Sequence, residues 1–313
     1  MSFTAEVKDE LGRVEPTCRS CDYAELSALM RVCGTLSFRG SGTYAIRITT
    51  ETGAVARTVI KLAHELYNLE TQLTVRRSVL HKTRNYLIEM PDQPGLEQAL
   101  VELGILMPGH GLVAGIKPRL VARPCCQAAY LRGAFLAAGF VADPRGDFHL
   151  EIAVASEPLA HDLVKLCALV GVTARLNHRR GAIAIYLKSY DDIARLMTVM
   201  GATRTAVAVG NVRRMKSVKN NVNRSVNAEL ANQRRASGAA AEQLELIERI
   251  RERPGFAALS PKLREFCELR LAHPELSLAD LGQLTSRRSS KSAMYHRYLR
   301  LVELDRDYAQ VEE

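Results

Sequence analysis

The sequence predicts an α+β protein: a duplicated unit of helix, hairpin, helix, hairpin, helix, followed by an all-α C-terminal unit. Three observations carry this. Two stretches rich in small residues, Leu26-Ser-Ala-Leu-Met-Arg-Val-Cys-Gly34 and Leu131-Arg-Gly-Ala-Phe-Leu-Ala-Ala-Gly139, end in glycines 105 residues apart. The hydropathy pattern after each stretch changes in the same order, from period two to helical periodicity and back. Beyond residue 240 only helical periodicity remains. A chain of 313 residues has room for two or three domains.

In the first half, residues 1–104, Ser2 to Arg13 reads as a helix with Phe3, Val7 and Leu11 on one face. A loop with Pro16, Cys18 and Cys21 follows, and Asp22 is expected to cap the first small-residue helix. Tyr44, Ile46 and Ile48 alternate with Ala45, Arg47 and Thr49, so Thr35–Phe38 and Thr43–Thr49 form a hairpin turning at Arg39-Gly-Ser-Gly42. Gly53 to Leu69 is helical. Gln72–Val79 and Asn85–Met90 make a second hairpin, and a short helix runs from Pro94 to Leu103. A Gly- and Pro-rich connector, Gly104 to Arg123, leads into the second half, residues 124–203. There Pro124–Phe140 is a helix, a hairpin turns at Pro144-Arg-Gly-Asp147, and Leu159–Val170 is helical. Thr173–His178 and Ala182–Leu187 turn at Arg179-Arg-Gly181, and Tyr190–Met200 closes the half behind a Ser189 cap. The small-residue helices are expected to pack on each other, because small side chains let two backbones approach closely.

Apolar residues make up 47% of the chain, enough for real cores, and with no Trp these are built from Leu, Val, Ile and Ala. A net charge of +9 favours an anionic partner, nucleic acid or a membrane surface. Met1 to Leu11 is polar and amphipathic, unlike a secretion signal, and no apolar run reaches the roughly 20 residues of a membrane helix. The expectation is a cytoplasmic, nucleoid-associated protein with reduced thiols and no membrane partner.

The duplicated order, with a small-residue helix opening each half, resembles the LAGLIDADG homing-endonuclease architecture. That resemblance implies two helices packed at a pseudo-dyad, and an acid before the final Gly of each motif to hold a divalent metal. The matching positions are Cys33 and Ala138, and Arg31 and Leu136 stand at the other acidic position. Neither half offers the oxygen ligands that Mg²⁺-assisted hydrolysis needs, so no catalytic residues are expected.

The C-terminal unit, residues 240–313, reads as helix Ala240–Arg253 closed by Arg253-Pro254-Gly255, then Lys262–Leu271. Ser277 caps Leu278–Leu284, and a polar loop, Thr285–Ser289, leads to a helix from Ser290 to Val302. This is the helix-turn-helix pattern, with Leu278, Leu281, Met294, Tyr298 and Leu301 spaced to form its core. Positions 281–300 hold five basic residues and no acid. The partner expected from that concentration is double-stranded DNA. Ser277, Ser290, Lys291, Ser292, Tyr295 and His296 lie at or near the base-reading end. Arg287, Arg288, Arg297 and Arg300 are placed for phosphates.

Between the units, residues 204–239 read as a flexible basic linker rich in Asn and Arg. Arg213, Arg214, Lys216, Lys219, Asn223 and Arg224 are its secondary candidates for DNA or interdomain contact. The run Asn223-Arg-Ser-Val-Asn-Ala-Glu-Leu-Ala-Asn232, with Arg234 and Arg235, resembles the junction of the WhiA family of bacterial DNA-binding regulators. In that family a degenerate LAGLIDADG-like domain is joined to a C-terminal helix-turn-helix. Phe3–Leu11 and Ala129–Gly139 fit the same family. The family's Pro-rich turn is here Ser286-Arg287-Arg288. The resemblance implies regulation of cell division, chromosome segregation or sporulation genes. It also implies cooperation with a WhiB-type iron–sulfur regulator and RNA polymerase.

Cys18-Arg-Ser-Cys21 is a C-x-x-C that Cys125-Cys126 could in principle complete to a zinc site. Adjacent cysteines do not easily chelate one tetrahedral metal, so free thiols, no metal and no cofactor are expected. The histidines, among them His64, His81, His110, His149, His161 and His178, show no ligand spacing. The reading is a sequence-specific DNA-binding regulator without nuclease activity. The alternatives are an active metal-dependent endonuclease and a protein-docking scaffold.

Overall fold

The computed structural model describes residues 2–38, 43–77, 84–109, 111–179, 182–252, 256 and 258–311. The expected turns at 39–42 and 180–181, the hairpin tip at 78–83, the helix stop at 253–255 and His81 and His110 lie outside the described residues. The chain divides into two compact units, Met1–Lys216 and Ser217–Glu313.

The N-terminal unit has the expected duplicated order. Helix α1 is Phe3–Leu11 and α2 is Arg19–Cys33, followed by strands β1 (Gly34–Phe38) and β2 (Tyr44–Thr50). Then come α3 (Gly53–Tyr67), β3 (Gln72–Arg77), β4 (Arg84–Met90) and α4 (Leu96–Glu102). The second half runs α5 (Pro124–Ala138), β5 (Gly139–Val141), β6 (Leu150–Val154), α6 (Glu157–Leu169), β7 (Arg175–Arg179), β8 (Ala182–Leu187) and α7 (Tyr190–Met200). The sheets are antiparallel with orders β1-β2-β4-β3 and β5-β6-β8-β7, so the repeat seen in the pattern is a repeat of topology. Tyr44, Ile46 and Ile48 are buried, as their alternation requires.

The small-residue helices α2 and α5 pack directly on each other. A Cβ at Gly133 would stand 2.5 Å from the Glu25 carbonyl oxygen and 2.9 Å from the Ala28 Cβ, so this crossing admits only glycine. Beside it lies a buried ion pair that the sequence pattern did not reveal. Arg132 donates through Nη2 (2.6 Å) and Nε (2.9 Å) to Glu25 Oε2, and through Nη1 to the Met200 carbonyl (3.2 Å). Burial pushes the Glu25 carboxyl upward, and the Arg132 guanidinium pulls it the other way. The pair therefore ties both halves and the end of α7 together.

Two expectations change. Asp22 does not cap α2; Cys18 occupies the N-cap position and the helix begins at Arg19. The basic segment is not an irregular tether, because α8 (Thr203–Arg251) is one helix of 49 residues. Its sequence contains no proline and only Gly210 and Gly238 as weak points, so nothing interrupts the backbone ladder, and Asn lowers helix propensity only slightly. Residues 217–239 of this helix are exposed all round.

The C-terminal unit contains the rest of α8, α9 (Pro261–Ala272), α10 (Leu278–Leu284) and α11 (Lys291–Val311). Leu281, Met294 and Leu301 are fully buried with Ile247, Ile250, Phe266 and Cys267, while Leu278 and Tyr298 pack at the edge of that core. Arg270 is buried too; it donates to Gln243 Oε1 (3.0 Å) and to the Leu276 carbonyl (2.6 Å), fixing the turn before α10 against α8.

Candidate nucleic-acid interface

The pair α10 and α11 is joined by six residues, Thr285–Ser290, and their hydrogen bonds make an ordered turn. The Thr285 hydroxyl donates to the Gly282 carbonyl (2.7 Å), which also accepts from the Ser289 N–H (2.8 Å). A Cβ on Gly282 would stand 2.2 Å from the Ser289 carbonyl oxygen, so the close return of the chain depends on that glycine. From α9, Glu265 Oε1 accepts the Ser286 N–H at 2.6 Å. That bond, more than any other contact, holds the Glu265 carboxyl below the usual range, with Arg297 adding to it and burial opposing. This six-residue turn displays Arg287 and Arg288, both exposed and without an ion-pair partner among the described residues.

Ser277 and Ser290 are helix caps. The Ser277 hydroxyl accepts from the Asp280 N–H (3.3 Å) and donates to Asp280 Oδ2 (2.7 Å); Ser290 Oγ accepts from the Ala293 N–H (3.2 Å). Lys291, Ser292, Tyr295 and His296 are exposed on the first turns of α11. The Tyr295 and Tyr298 rings lie 6.1 Å apart, which braces the exposed ring against one at the core edge. Arg300 is exposed and pairs with Glu303 at 2.7 Å, so the acid-free surface ends there.

Arg297 departs from its expected place. Its side chain is only 14% exposed, and it donates to Glu265 Oε2 (3.0 Å) and Ser289 Oγ (3.1 Å). At about 100° per residue it shares a stripe with Met294 and Leu301, three residues before and four after it. It therefore turns toward α9 instead of outward. That stripe is present in the sequence, hidden within the run of basic residues. Glu265, Gly282 and Thr285 carry no such signal, since each acts through a neighbour set by tertiary packing.

The secondary candidates divide in the same way. Arg213 pairs with Asp191 (2.6 Å) and stacks 4.1 Å over the Tyr190 ring. Lys216 donates to the Gly146 carbonyl and lies over the Phe148 ring, while Arg214 donates to Asn211 Oδ1 (2.6 Å). Arg213 and Lys216 thus fasten α8 to the N-terminal unit, the expected phosphate contacts having nearer partners. Lys219, Asn223 and Arg224 are exposed on α8 with no partner among the described residues.

The positions where a LAGLIDADG enzyme would hold metal carry other side chains. The Cys33 thiol donates to the Leu29 carbonyl (3.1 Å), and burial pushes it up to about 12. Arg31 donates to the carbonyls of Gly104, Val113 and Ala114, anchoring the connector. Ala138 lines a cleft of about 670 Å³ with Lys8 and Arg84, in which Glu51 is the single carboxylate among the described residues. One acid among cations is a poor cage for Mg²⁺, which takes several oxygen ligands.

Cys125-Cys126, adjacent residues not expected to chelate one metal easily, do stand beside the C-x-x-C. The four sulfurs of Cys18, Cys21, Cys125 and Cys126 all lie within 4.8 Å of one another. The approach of α2 and α5 brings the start of each helix to the same point, which sequence spacing could not show. No helix among the described residues is long and apolar enough to cross a membrane.

Comparison with known proteins agrees along the whole chain. Residues 19–106 match the family model of the WhiA N-terminal LAGLIDADG-like domain, 127–219 the WhiA LAGLIDADG-like domain, and 222–305 the WhiA C-terminal HTH domain. The chain is 39% identical over 305 residues to the probable cell division protein WhiA of Heliobacterium modesticaldum, covering 97% of this chain and 96% of that one. It is 39% identical to the protein of the same description from Desulforudis audaxviator, over 97% and 96%. Among solved structures, the full-length DUF199/WhiA of Thermotoga maritima superposes with a TM-score of 0.61 at 25% identity, over 97% of this chain and 98% of that one. The chain belongs to the WhiA family.

Proposed function

We propose that the protein is a sequence-specific DNA-binding transcriptional regulator, of the cell-division role that its relatives' names carry, and that it has no nuclease activity. One observation carries this reading: the outward side of the turn and of the first turns of α11 presents Arg287, Arg288, Lys291, Ser292, Tyr295 and His296, exposed around a well-packed core. Lys291, Ser292, Tyr295 and His296 would reach base edges from the N-terminal end of the helix, and Arg287 and Arg288 would sit on phosphates. Lys219, Asn223 and Arg224 would add phosphate contacts on α8. The absence of a carboxylate at Cys33 and Ala138 supports the non-catalytic part. The family resemblance adds a WhiB-type iron–sulfur regulator and RNA polymerase as partners for co-purification.

The test is binding of the full chain to a selected operator and to random DNA across a salt series. Lys291→Ala should cost about 1–3 kcal/mol on the operator and little on random DNA. Arg288→Ala should weaken both alike and lower the salt slope by about 1. If neither change alters binding, α11 is not the reading helix. Mg²⁺- or Mn²⁺-dependent nicking of supercoiled DNA, stopped by a chelator, would overturn the non-catalytic part.

A further inference from the structure

We propose that Cys18, Cys21, Cys125 and Cys126 form a closed structural zinc site that clamps the first turns of the two central helices. The four residues come from two places in the fold. Cys18 and Cys21 are the N-cap and third residue of α2, while Cys125 and Cys126 follow Pro124 at the start of α5. The sulfur of Cys18 stands 3.5 Å from that of Cys21, 3.8 Å from that of Cys125 and 3.9 Å from that of Cys126. A tetrahedral zinc with Zn–S near 2.3 Å requires its sulfurs about 3.8 Å apart. The three pairs that include Cys18 already have nearly that spacing, and all four sulfurs lie within 4.8 Å of one another.

The donor set selects the ion. Four thiolates with no carboxylate, imidazole or open position suit zinc in a structural role and exclude hard cations such as Mg²⁺ and Ca²⁺. An iron–sulfur cube would spread its four cysteines further apart than one ion does. On binding, four thiols release four protons, and the centre carries a net charge of −2. Both helices begin at this centre, and helix N-termini favour negative charge. Arg19 and Arg123, exposed and next in sequence to Cys18 and Pro124, add positive charge nearby.

The location gives the site a role. Cys21 and Cys126 belong to the buried core, and Cys18 and Cys125 pack against its edge, so the ion would be largely sealed from solvent. It would crosslink the first half to the second, at the far end of α2 and α5 from Gly34 and Gly139. The packing of these two helices, with Gly133 against Glu25, would then be held at its open end by metal–sulfur bonds. The role is structural, because all four positions around the ion are filled by protein.

The test uses the full-length protein purified under reducing conditions without a metal-affinity step. Elemental analysis should find one zinc per chain and X-ray absorption four sulfurs near 2.3 Å. Cobalt exchanged into the site should give the visible absorption of tetrahedral cobalt thiolate. Cys18→Ser should lose zinc to a chelator at least about tenfold faster, because a lost ligand costs no less than a lost outer-shell partner. Cys33→Ser, outside the cluster, should keep zinc. The absorption measurement needs no variant, so a Cys18→Ser protein that fails to fold leaves the proposal testable. Reduced, folded protein with no metal and no cobalt thiolate band would overturn it, as would stoichiometric iron in place of zinc, or equal zinc retention in Cys18→Ser.

Discussion

Replacing Arg297 with alanine separates two physical roles that a basic side chain on a recognition helix can have. Its guanidinium joins Glu265 of α9 to Ser289 of the turn, with Arg297 14% and Glu265 25% exposed. A hydrogen bond to a charged group contributes about 1.5–3 kcal/mol when shielded, and an exposed ion pair about 0–1 kcal/mol. With both partners partly shielded, the loss should be about 1–2 kcal/mol, felt at the turn. Opening of the turn should then rise by about 5–30-fold, which is what such an energy means for a population. Hydrogen exchange by mass spectrometry on the full chain reads this directly through the Ser286 and Ser289 amides, which Glu265 and the Gly282 carbonyl hold. DNA affinity should fall modestly and equally for all sequences, with the salt slope unchanged, because no phosphate contact is lost. Unchanged exchange together with a salt slope lowered by about 1 would refute the clamp and make Arg297 a phosphate contact.

Two further outcomes follow from the same kind of reasoning. Glu25→Gln leaves the Arg132 guanidinium buried without its counter-charge, so chemical denaturation should show a loss of about 3–5 kcal/mol from the N-terminal unit; a loss under about 1 would mean that the pair is not dry. Acid should loosen the turn at Ser286. The Glu265 carboxyl is held below its unfolded value, so its contribution is complete above about pH 4.3 and is lost as pH falls through the lower folded value. Protection of the Ser286 amide should therefore be flat from pH 5 to 7 and fall only in more acid solution, and a fall near neutrality would point to another group.

Much of the fold was legible because the signals are local. Alternation at Tyr44, Ile46 and Ile48, helical periodicity through α3 and α7, and the matching glycines at 34 and 139 determined the element order and its repetition. The helix-turn-helix core was legible for the same reason, since Leu281, Met294 and Leu301 mark one buried stripe. The missing carboxylates at Cys33 and Ala138 are a matter of residue identity alone. The linker differs from expectation because Asn and charge suggest a coil, whereas the absence of proline lets the helix continue through them.

Tertiary structure decided which groups act together. Position along α11 made Arg297 a candidate contact, but the approach of α9 turned it into a clamp on the turn. Glu25 and Arg132 lie 107 residues apart, as do Cys18 and Cys125. Spacing along a chain says little about pairs at that separation, because only the packing of α2 on α5 fixes which side chains meet. The sequence by itself determined a duplicated scaffold followed by a helix-turn-helix with a basic second helix. The close crossing of two small-residue helices decided that four cysteines share one point in space.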